Sequence, residues 1–127
     1  MTNGELLRLY ETLDKLIQNH DYKFIVRIGY LLAKNRAAIR DDAAMIYTAR
    51  QNIMLENGEL KENGDIIIPG DKVQEVQKQI DELMKVDVNV VISPINIYEF
   101  EESLSLEEIE GLMPILEEPL MTGPAIE

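Results

Sequence analysis

Residues 22–56 read YKFIVRIGYLLAKNRAAIRDDAAMIYTARQNIMLE, and this stretch decides the fold. It contains no proline and a single glycine, Gly29. A leucine or isoleucine recurs at every seventh position: Ile25, Leu32, Ile39, Ile46 and Ile53. This spacing places one apolar band along a helix of about ten turns and roughly 50 Å. Such a helix is not stable alone in water, so another element or another chain must cover the band.

The adjacent acidic residues Asp41 and Asp42 are the weak point of this helix. Aspartate is a poor residue inside a helix, and either side chain could instead cap a new one. The apolar repeat keeps its register across both positions, so we predict one continuous helix over about 22–56. Asp21 is the predicted N-cap, and Gly58 is predicted to end the helix in the left-handed conformation.

A shorter helix precedes the long one. Thr2 and Glu5 have the spacing of a capping box, in which each side chain bonds the backbone N–H of the other residue. Leucines at spacings of three and four then predict a helix over about 3–18. Only residues 19–21 separate the two helices, so we expect an antiparallel hairpin, with the leucines packed on the first half of the long helix.

The second half of the chain predicts a small sheet and a covering helix. Asn63-Gly64, just before Ile66–Ile68, is typical of a β-hairpin turn. Alternating apolar and polar residues over 86–97, interrupted at Pro94, predict a further strand. Apolar residues at helical spacing predict a helix over about 72–85. The sequence therefore predicts the α+β class: a helical hairpin, an antiparallel sheet of two or three strands, and one covering helix.

Chain length and composition predict one domain. The 127 residues are 46 % hydrophobic and 28 % charged, which is typical of a globular chain. Ser105 and Glu108 form another capping box that opens a short helix. Proline and glycine are frequent after residue 118, so we predict a single domain over 1–118 and a flexible tail over 119–127. No apolar stretch is long enough to span a membrane, and the beginning of the chain lacks the pattern of a secretory signal. A cytoplasmic location is the expectation.

The residue types argue against several chemistries. Cysteine is absent and histidine occurs once, at His20, so thiolate sites and paired histidine ligands cannot form. The chain contains no nucleophile-elbow motif and no glycine-rich phosphate loop. We therefore predict a protein that is not an enzyme, with no catalytic residue, no cofactor and no metal ligand. An enzyme that uses carboxylates and a metal ion is the third alternative.

The charge is strongly asymmetric. Residues 1–55 hold eight basic and six acidic side chains, whereas residues 56–127 hold four and eighteen, which gives net charges of +2 and −14. A chain of net charge −12 repels nucleic-acid phosphates, so direct nucleic-acid binding is not expected. The acidic half could serve solubility alone, could pair with arginines of the long helix, or could imitate DNA on a basic host protein.

The order of these features resembles that of small accessory proteins encoded by tailed bacteriophages and related prophages. The resemblance lies in five segments: Leu55-Glu56-Asn57-Gly58, Asn63-Gly64-Asp65, Ile68-Pro69-Gly70-Asp71, Asp81-Glu82-Leu83-Met84, and the run from Leu104 to Leu116. These motifs mark the ends of structural elements and carry no chemistry. The resemblance implies a small assembly or accessory protein without enzymatic activity, located in the cytoplasm of the host cell or in the virion. It supplies no functional residues.

We predict a non-catalytic protein–protein interaction or assembly protein, whose partner is another protein or a second copy of the chain. The first helix is too short to cover the whole long helix, so the far end of the apolar band could face a partner. The alternative is an acidic, DNA-mimicking inhibitor of a basic protein. The predicted partner-binding residues are Ile46, Ile53, Met54, Arg40, Arg50, Glu101 and Glu102.

Overall fold

The two predicted helices form the centre of the molecule. In a computed structural model that describes residues 1–117, helix α1 spans Asn3–Gln18 and α2 spans Val26–Asn57 without a break at the paired aspartates. Asp14 of α1 pairs with Arg36 at 3.0 Å, and Glu11 of α1 accepts a hydrogen bond from Tyr47. Contacts nearer the start of α1 thus lie nearer the end of α2, so the helices are antiparallel. The predicted tail, 119–127, lies outside the described residues.

The long helix begins four residues later than predicted. Asp21 is not its N-cap, because residues 22–25 are non-helical and Ile25 occupies the cap position. Contacts with the C-terminal half explain the difference. The Tyr22 hydroxyl donates to Glu108, the Lys23 N–H donates to Glu102, and the Phe24 ring packs edge-on against Phe100. Each of these contacts directs the chain away from a helical path.

The remaining helices complete an α+β fold. Helix α3 spans Val73–Met84 and α4 spans Leu106–Leu112, and short 3-10 turns lie at Gly70–Lys72, Ile97–Glu99 and Met113–Ile115. The capping boxes predicted at Thr2 and Ser105 are present, at the starts of α1 and α4. A third box, which the sequence predicts at Asp71 and Gln74, does not form, because Asp71 lies inside a 3-10 turn and Lys72 occupies the N-cap position of α3 without a side-chain cap. One cluster forms the core: Leu6, Leu7, Leu9, Leu13, Leu16, Ile28, Leu31, Leu32, Ile39, Ala43, Ile46, Ile95, Leu112 and Ile115.

The predicted sheet is only partly correct. Strands β1, Glu59–Leu60, and β2, Ile66–Ile67, form the expected antiparallel hairpin. Strands β3, Ile95–Asn96, and β4, Leu116–Glu117, form a separate pair that is parallel. No regular strand occurs over residues 86–94, where one isolated bridge joins Thr2 to Asp87. The alternating pattern arises because Val88, Val90 and Ile92 pack against the core, whereas the residues between them are exposed.

The hairpin ends α2 by close packing and not by a left-handed glycine. Gly58 has φ −138°, which is extended backbone, so the predicted left-handed conformation is wrong. A Cβ at this position would lie 2.6 Å from both the Ile67 carbonyl oxygen and the Ile68 Cδ1. The glycine therefore allows the hairpin to fold back on the helix. Gly64, in the hairpin turn, has the positive φ of 91° that an Asn-Gly turn requires.

A buried asparagine holds the segment 86–94 on the long helix. Asn35 lies within the apolar band and is 0 % exposed. Its Oδ1 accepts the Ser93 N–H at 2.7 Å, and its Nδ2 donates to the Ser93 carbonyl at 2.8 Å and to the Leu31 carbonyl at 2.9 Å. The side chain thus satisfies both backbone groups of Ser93, as a neighbouring strand would do.

Asn35→Ala should destabilise the fold by about 2–4 kcal/mol, because the N–H and C=O of Ser93 lose their partners in a partly buried position. Urea unfolding followed by circular dichroism measures this change. Asn52→Ala, at an exposed position of the same helix, is the matched control. Equal unfolding midpoints for the two variants would contradict the role given to Asn35.

The crossing of α1 and α4 depends on a glycine. A Cβ at Gly111 would overlap Thr12 Oγ1 and would lie 2.9 Å from Thr12 Cβ, and Thr12 Cβ cannot move away without shifting α1. Gly29, inside α2, has open space around the same position. Both glycines lie inside helices, but only Gly111 is required by packing.

The two glycine-to-alanine changes should therefore have opposite signs. Gly29→Ala should stabilise the protein by about 0.5–1 kcal/mol through helix propensity. Gly111→Ala gains the same propensity, but the clash with Thr12 should leave it destabilised by about 1–3 kcal/mol. Thermal unfolding of both variants measures the difference. Stabilisation by Gly111→Ala would show that α1 and α4 are not in close contact.

Candidate functional site

The three predicted apolar site residues, Ile46, Ile53 and Met54, differ in exposure, and none is fully accessible to a partner. Ile46 is 5 % exposed and belongs to the core, where α3 and the segment after it cover this part of α2. Ile53 and Met54 are half-buried next to the β1–β2 hairpin. The end of the apolar band of α2 that contains Ile46, Ile53 and Met54 is thus largely covered by the same chain.

The four predicted charged residues lie at separate places. Arg40 is exposed and lies 3.7 Å from Asp41, whereas Arg50 is half-buried with its guanidinium 5.1 Å from the Tyr47 ring centroid. Glu101 is exposed, and Glu102 accepts the Lys23 N–H at 2.8 Å near the start of α2. The start of α2 and residues 53–54 are about 40 Å apart along the helix, so the predicted residues do not form one site.

Within residues 1–117, one ion pair joins an arginine of α2 to the acidic half of the chain, residues 56–117. Arg27 Nε donates to Glu99 at 2.8 Å, and this ion pair lowers the pKa of Glu99 and raises that of Arg27. Arg36 pairs with Asp14 of α1 instead. The internal pairing thus leaves most of the acidic surface without an arginine partner in this range.

The side of α2 that faces away from α1 is the strongest candidate surface. Its large apolar side chains are exposed: Tyr30 is 62 % and Met45 is 70 % accessible. Small and charged residues lie between them, and all are exposed. We call this set the outer face: Tyr30, Lys34, Ala37, Ala38, Asp41 and Met45. Apolar anchors at helical spacing are one of the ways in which a helix binds another protein.

A shallow depression adjoins the outer face near Met45. It has a volume of about 360 Å³ and is lined by Ala44, Met45, Thr48, Ala49 and Asn52. A second cleft, of about 310 Å³, lies on the other side of Met45, where Ile46, Leu83, Val86 and Val88 supply most of its apolar wall. Both are open and mainly apolar, so they suit a side chain of a partner better than a small polar substrate.

The cleft between α1 and α4 has walls that are about equally polar and apolar, and four of its side chains, Thr12, Tyr22, Ser105 and Glu108, are already hydrogen-bonded within the chain. It measures about 350 Å³ and is lined by Thr12, Lys15, Tyr22, Ser105, Glu107 and Glu108. The Tyr22 hydroxyl donates to Glu108 at 2.7 Å, and this bond raises the pKa of Tyr22. Burial raises the pKa of Glu108, but hydrogen bonds from Ser105 and Tyr22 outweigh it and lower the pKa. Glu108 therefore completes the capping box of α4.

Two further observations concern metal ions and membranes. Within residues 1–117, no three His, Asp or Glu side chains are grouped so that they could hold a metal ion. Over the same range, no helix combines the length and the apolar character that crossing a membrane requires.

Sequence reasoning missed Asn35, Tyr30 and Met45. The position of Asn35 could have revealed it, because a polar residue between Leu32 and Ile39 interrupts an apolar band and must be hydrogen-bonded if buried. Tyr30 and Met45 could not have been assigned to the outer face, since apolar residues on both sides of a helix do not indicate which side is covered.

The chain matches no protein-family model, no curated protein and no solved structure. The likeness to phage accessory proteins therefore stays a prediction from the residue pattern.

Tyr47 connects α1 and α2 and should titrate late. Burial, together with the hydrogen bond to Glu11, raises its pKa to about 12. The phenol is thus harder to ionise in the folded than in the unfolded chain. Its contribution to stability is fully present below the unfolded pKa of about 10 and is lost as the pH rises from about 10 to 12.

Tyr47→Phe should remove one phenol that ionises near pH 12, as followed by absorbance at 295 nm, and should flatten the loss of stability above about pH 10. Tyr98→Phe, at an exposed position, should leave the late ionisation in place. A wild-type titration without a late phenol would contradict the contact between Tyr47 and Glu11.

Proposed function

We propose that the chain is a non-catalytic protein that works by binding another protein chain through the outer face of α2. The observation that carries this proposal is the exposure of Tyr30 and Met45 on one side of a 32-residue helix, with alanines between them. Alanines let a partner helix approach closely, and the two large side chains supply apolar contact area. An accessory or assembly role, as the phage resemblance implies, is compatible with this surface.

The proposal agrees with the distribution of polar groups. The carboxylates of Glu99, Glu102 and Glu108 accept hydrogen bonds from Arg27, Lys23 and Tyr22 near the start of α2 and stabilise local structure. The open clefts near Met45 are apolar. A protein-binding surface needs no ionisable group with an altered pKa, whereas an active site of the acid–base type usually does.

A second candidate is the acidic, DNA-mimicking inhibitor. The observation that favours it is the exposure of Glu101, Glu107 and Glu110 on one stretch of the acidic half, in addition to the net charge of −14 over residues 56–127. Binding of this kind weakens steeply with added salt, whereas binding in which Tyr30 and Met45 supply the apolar contacts should weaken much less. The salt dependence of any captured partner therefore separates the two candidates.

Met45→Lys should weaken partner binding at least tenfold, because it places a charge in the apolar part of the interface. Light scattering measures self-association, and affinity capture from cells that express the gene measures binding to other proteins. Leu106→Lys, at an exposed apolar position on α4, is the matched control. If the wild-type chain is monomeric and no captured protein depends on Met45, the proposed function is wrong.

A further inference from the structure

The outer face has a spacing that is the same from both ends. Three residues separate Tyr30 from Lys34, and two separate Lys34 from the pair Ala37-Ala38. On the other side of the pair, two residues lead to Asp41 and three more separate Asp41 from Met45. The centre of the pattern lies between Ala37 and Ala38. Every residue of the pattern is exposed. An arrangement with this property can pair with a copy of itself through a two-fold axis.

Helix geometry brings these positions to one side. At 100° per residue, Lys34 and Asp41 lie within about 20° of each other around the helix, and Tyr30 and Met45 lie about 60° apart. Ala37 and Ala38 flank the same line. The pattern therefore forms one stripe about 22 Å long, on the side of α2 away from the core.

We propose that the chain forms a two-fold symmetric dimer in which the outer face of α2 packs antiparallel on the outer face of a second copy. This inference rests on the proposed function and names its partner. An axis between Ala37 and Ala38 places Tyr30 opposite Met45 of the second copy and Lys34 opposite Asp41 of the second copy. Each contact occurs twice, because the interface is its own complement.

Charge complementarity selects the antiparallel arrangement. In a parallel two-fold pair each residue would face itself, so Lys34 would face Lys34 and Asp41 would face Asp41. The antiparallel pair replaces both repulsions by attractions. Within residues 1–117 Lys34 has no carboxylate partner, and its ammonium lies 5.9 Å from the Tyr30 ring centroid. The Asp41 side chain is 94 % exposed and lies 3.7 Å from Arg40, so it is accessible to a second copy.

The shape of the surface also fits this partner. Alanines at the axis let two helices approach to about 8 Å. The depression beside Met45 lies where the Tyr30 ring of the second copy would arrive, with Ala44 and Thr48 in its wall. Sulfur–aromatic contacts between methionine and tyrosine rings are favourable. The stripe is short, so we expect a dimer with a dissociation constant in the micromolar range, weaker than an obligate one.

A charge swap tests the proposal. Lys34→Asp and Asp41→Lys should each raise the dimer dissociation constant about tenfold, since each creates two like-charge contacts per dimer. The double variant, Lys34→Asp with Asp41→Lys, should return to within about threefold of the wild-type value. Sedimentation equilibrium measures all three constants. Lys78→Asp, an exposed position on α3 with the same change of charge, should leave the constant unchanged.

A cross-link gives an independent measurement, because the chain has no cysteine of its own. Ala37→Cys should form a disulfide-linked dimer under mild oxidation, since position 37 lies beside its symmetry mate. Gln51→Cys, on the same helix but away from the stripe, should stay mainly unlinked.

The outcomes separate this inference from the proposed function. A monomer at all concentrations up to about 1 mM, or a dimer that is insensitive to the charge swap and does not cross-link through position 37, overturns the inference. If such a monomer still captures a protein through Met45, the proposed function stands. If it captures none, both are wrong.

Discussion

The hydrogen bonds between Asn35 and Ser93 are the constraint on which the rest of the structure depends. The segment 86–94 has no strand partner, yet its apolar side chains must reach the helices. One buried amide satisfies the N–H and the C=O of Ser93 together, so the segment can run along α2 without forming a sheet. The other end is held where the Asn3 N–H donates to the Val86 carbonyl at 2.8 Å and the Val88 N–H donates to the Met1 carbonyl at 2.9 Å. Polar contacts at both ends thus keep an irregular segment against an apolar core.

The same segment decides which side of α2 is available. The C-terminal half contacts the start of α2, where Phe100 packs on Phe24 and Glu99 pairs with Arg27. Farther along the helix, Leu83, Val86 and Val88 lie beside Ile46. The apolar band of α2, which must be covered by another element or chain, is thus covered mainly by residues of the same chain. What remains exposed is the opposite side, where alanines alternate with charges and with the two large side chains Tyr30 and Met45.

Periodicity was sufficient for the helices and insufficient for the strands. The seven-residue repeat and the capping boxes at Thr2 and Ser105 predicted α1, α4 and most of α2, because helical spacing and caps are local properties. The alternation over 86–97 predicted one strand, but only Ile95–Asn96 is a strand, and its partner β4 is parallel. Over 86–94 the backbone partners are a side chain 58 residues away and the first residues of the chain. Likewise, the start of α2 was displaced by contacts with Phe100, Glu102 and Glu108. No local pattern contains those distant partners, so neither feature could be predicted from the sequence. The candidate surface was missed for the related reason that coverage of a helix is a tertiary property.

The uneven charge distribution fits a chain whose contacts are concentrated on α2. Two copies with a net charge of −12 each repel one another at long range, and this repulsion keeps a concentrated acidic protein in solution. The excess negative charge lies almost entirely in residues 56–127, while the half that contains α2 is close to neutral. Contact through α2 therefore brings together the least charged parts of two chains and leaves the acidic parts in solvent, where counterions screen them over about 8–10 Å. Association through the acidic half would instead require a basic partner of another kind, because residues 1–55 of this chain carry a net charge of only +2. The helix that organises the core is thus also the part of the molecule on which the electrostatic cost of contact with a second copy is smallest.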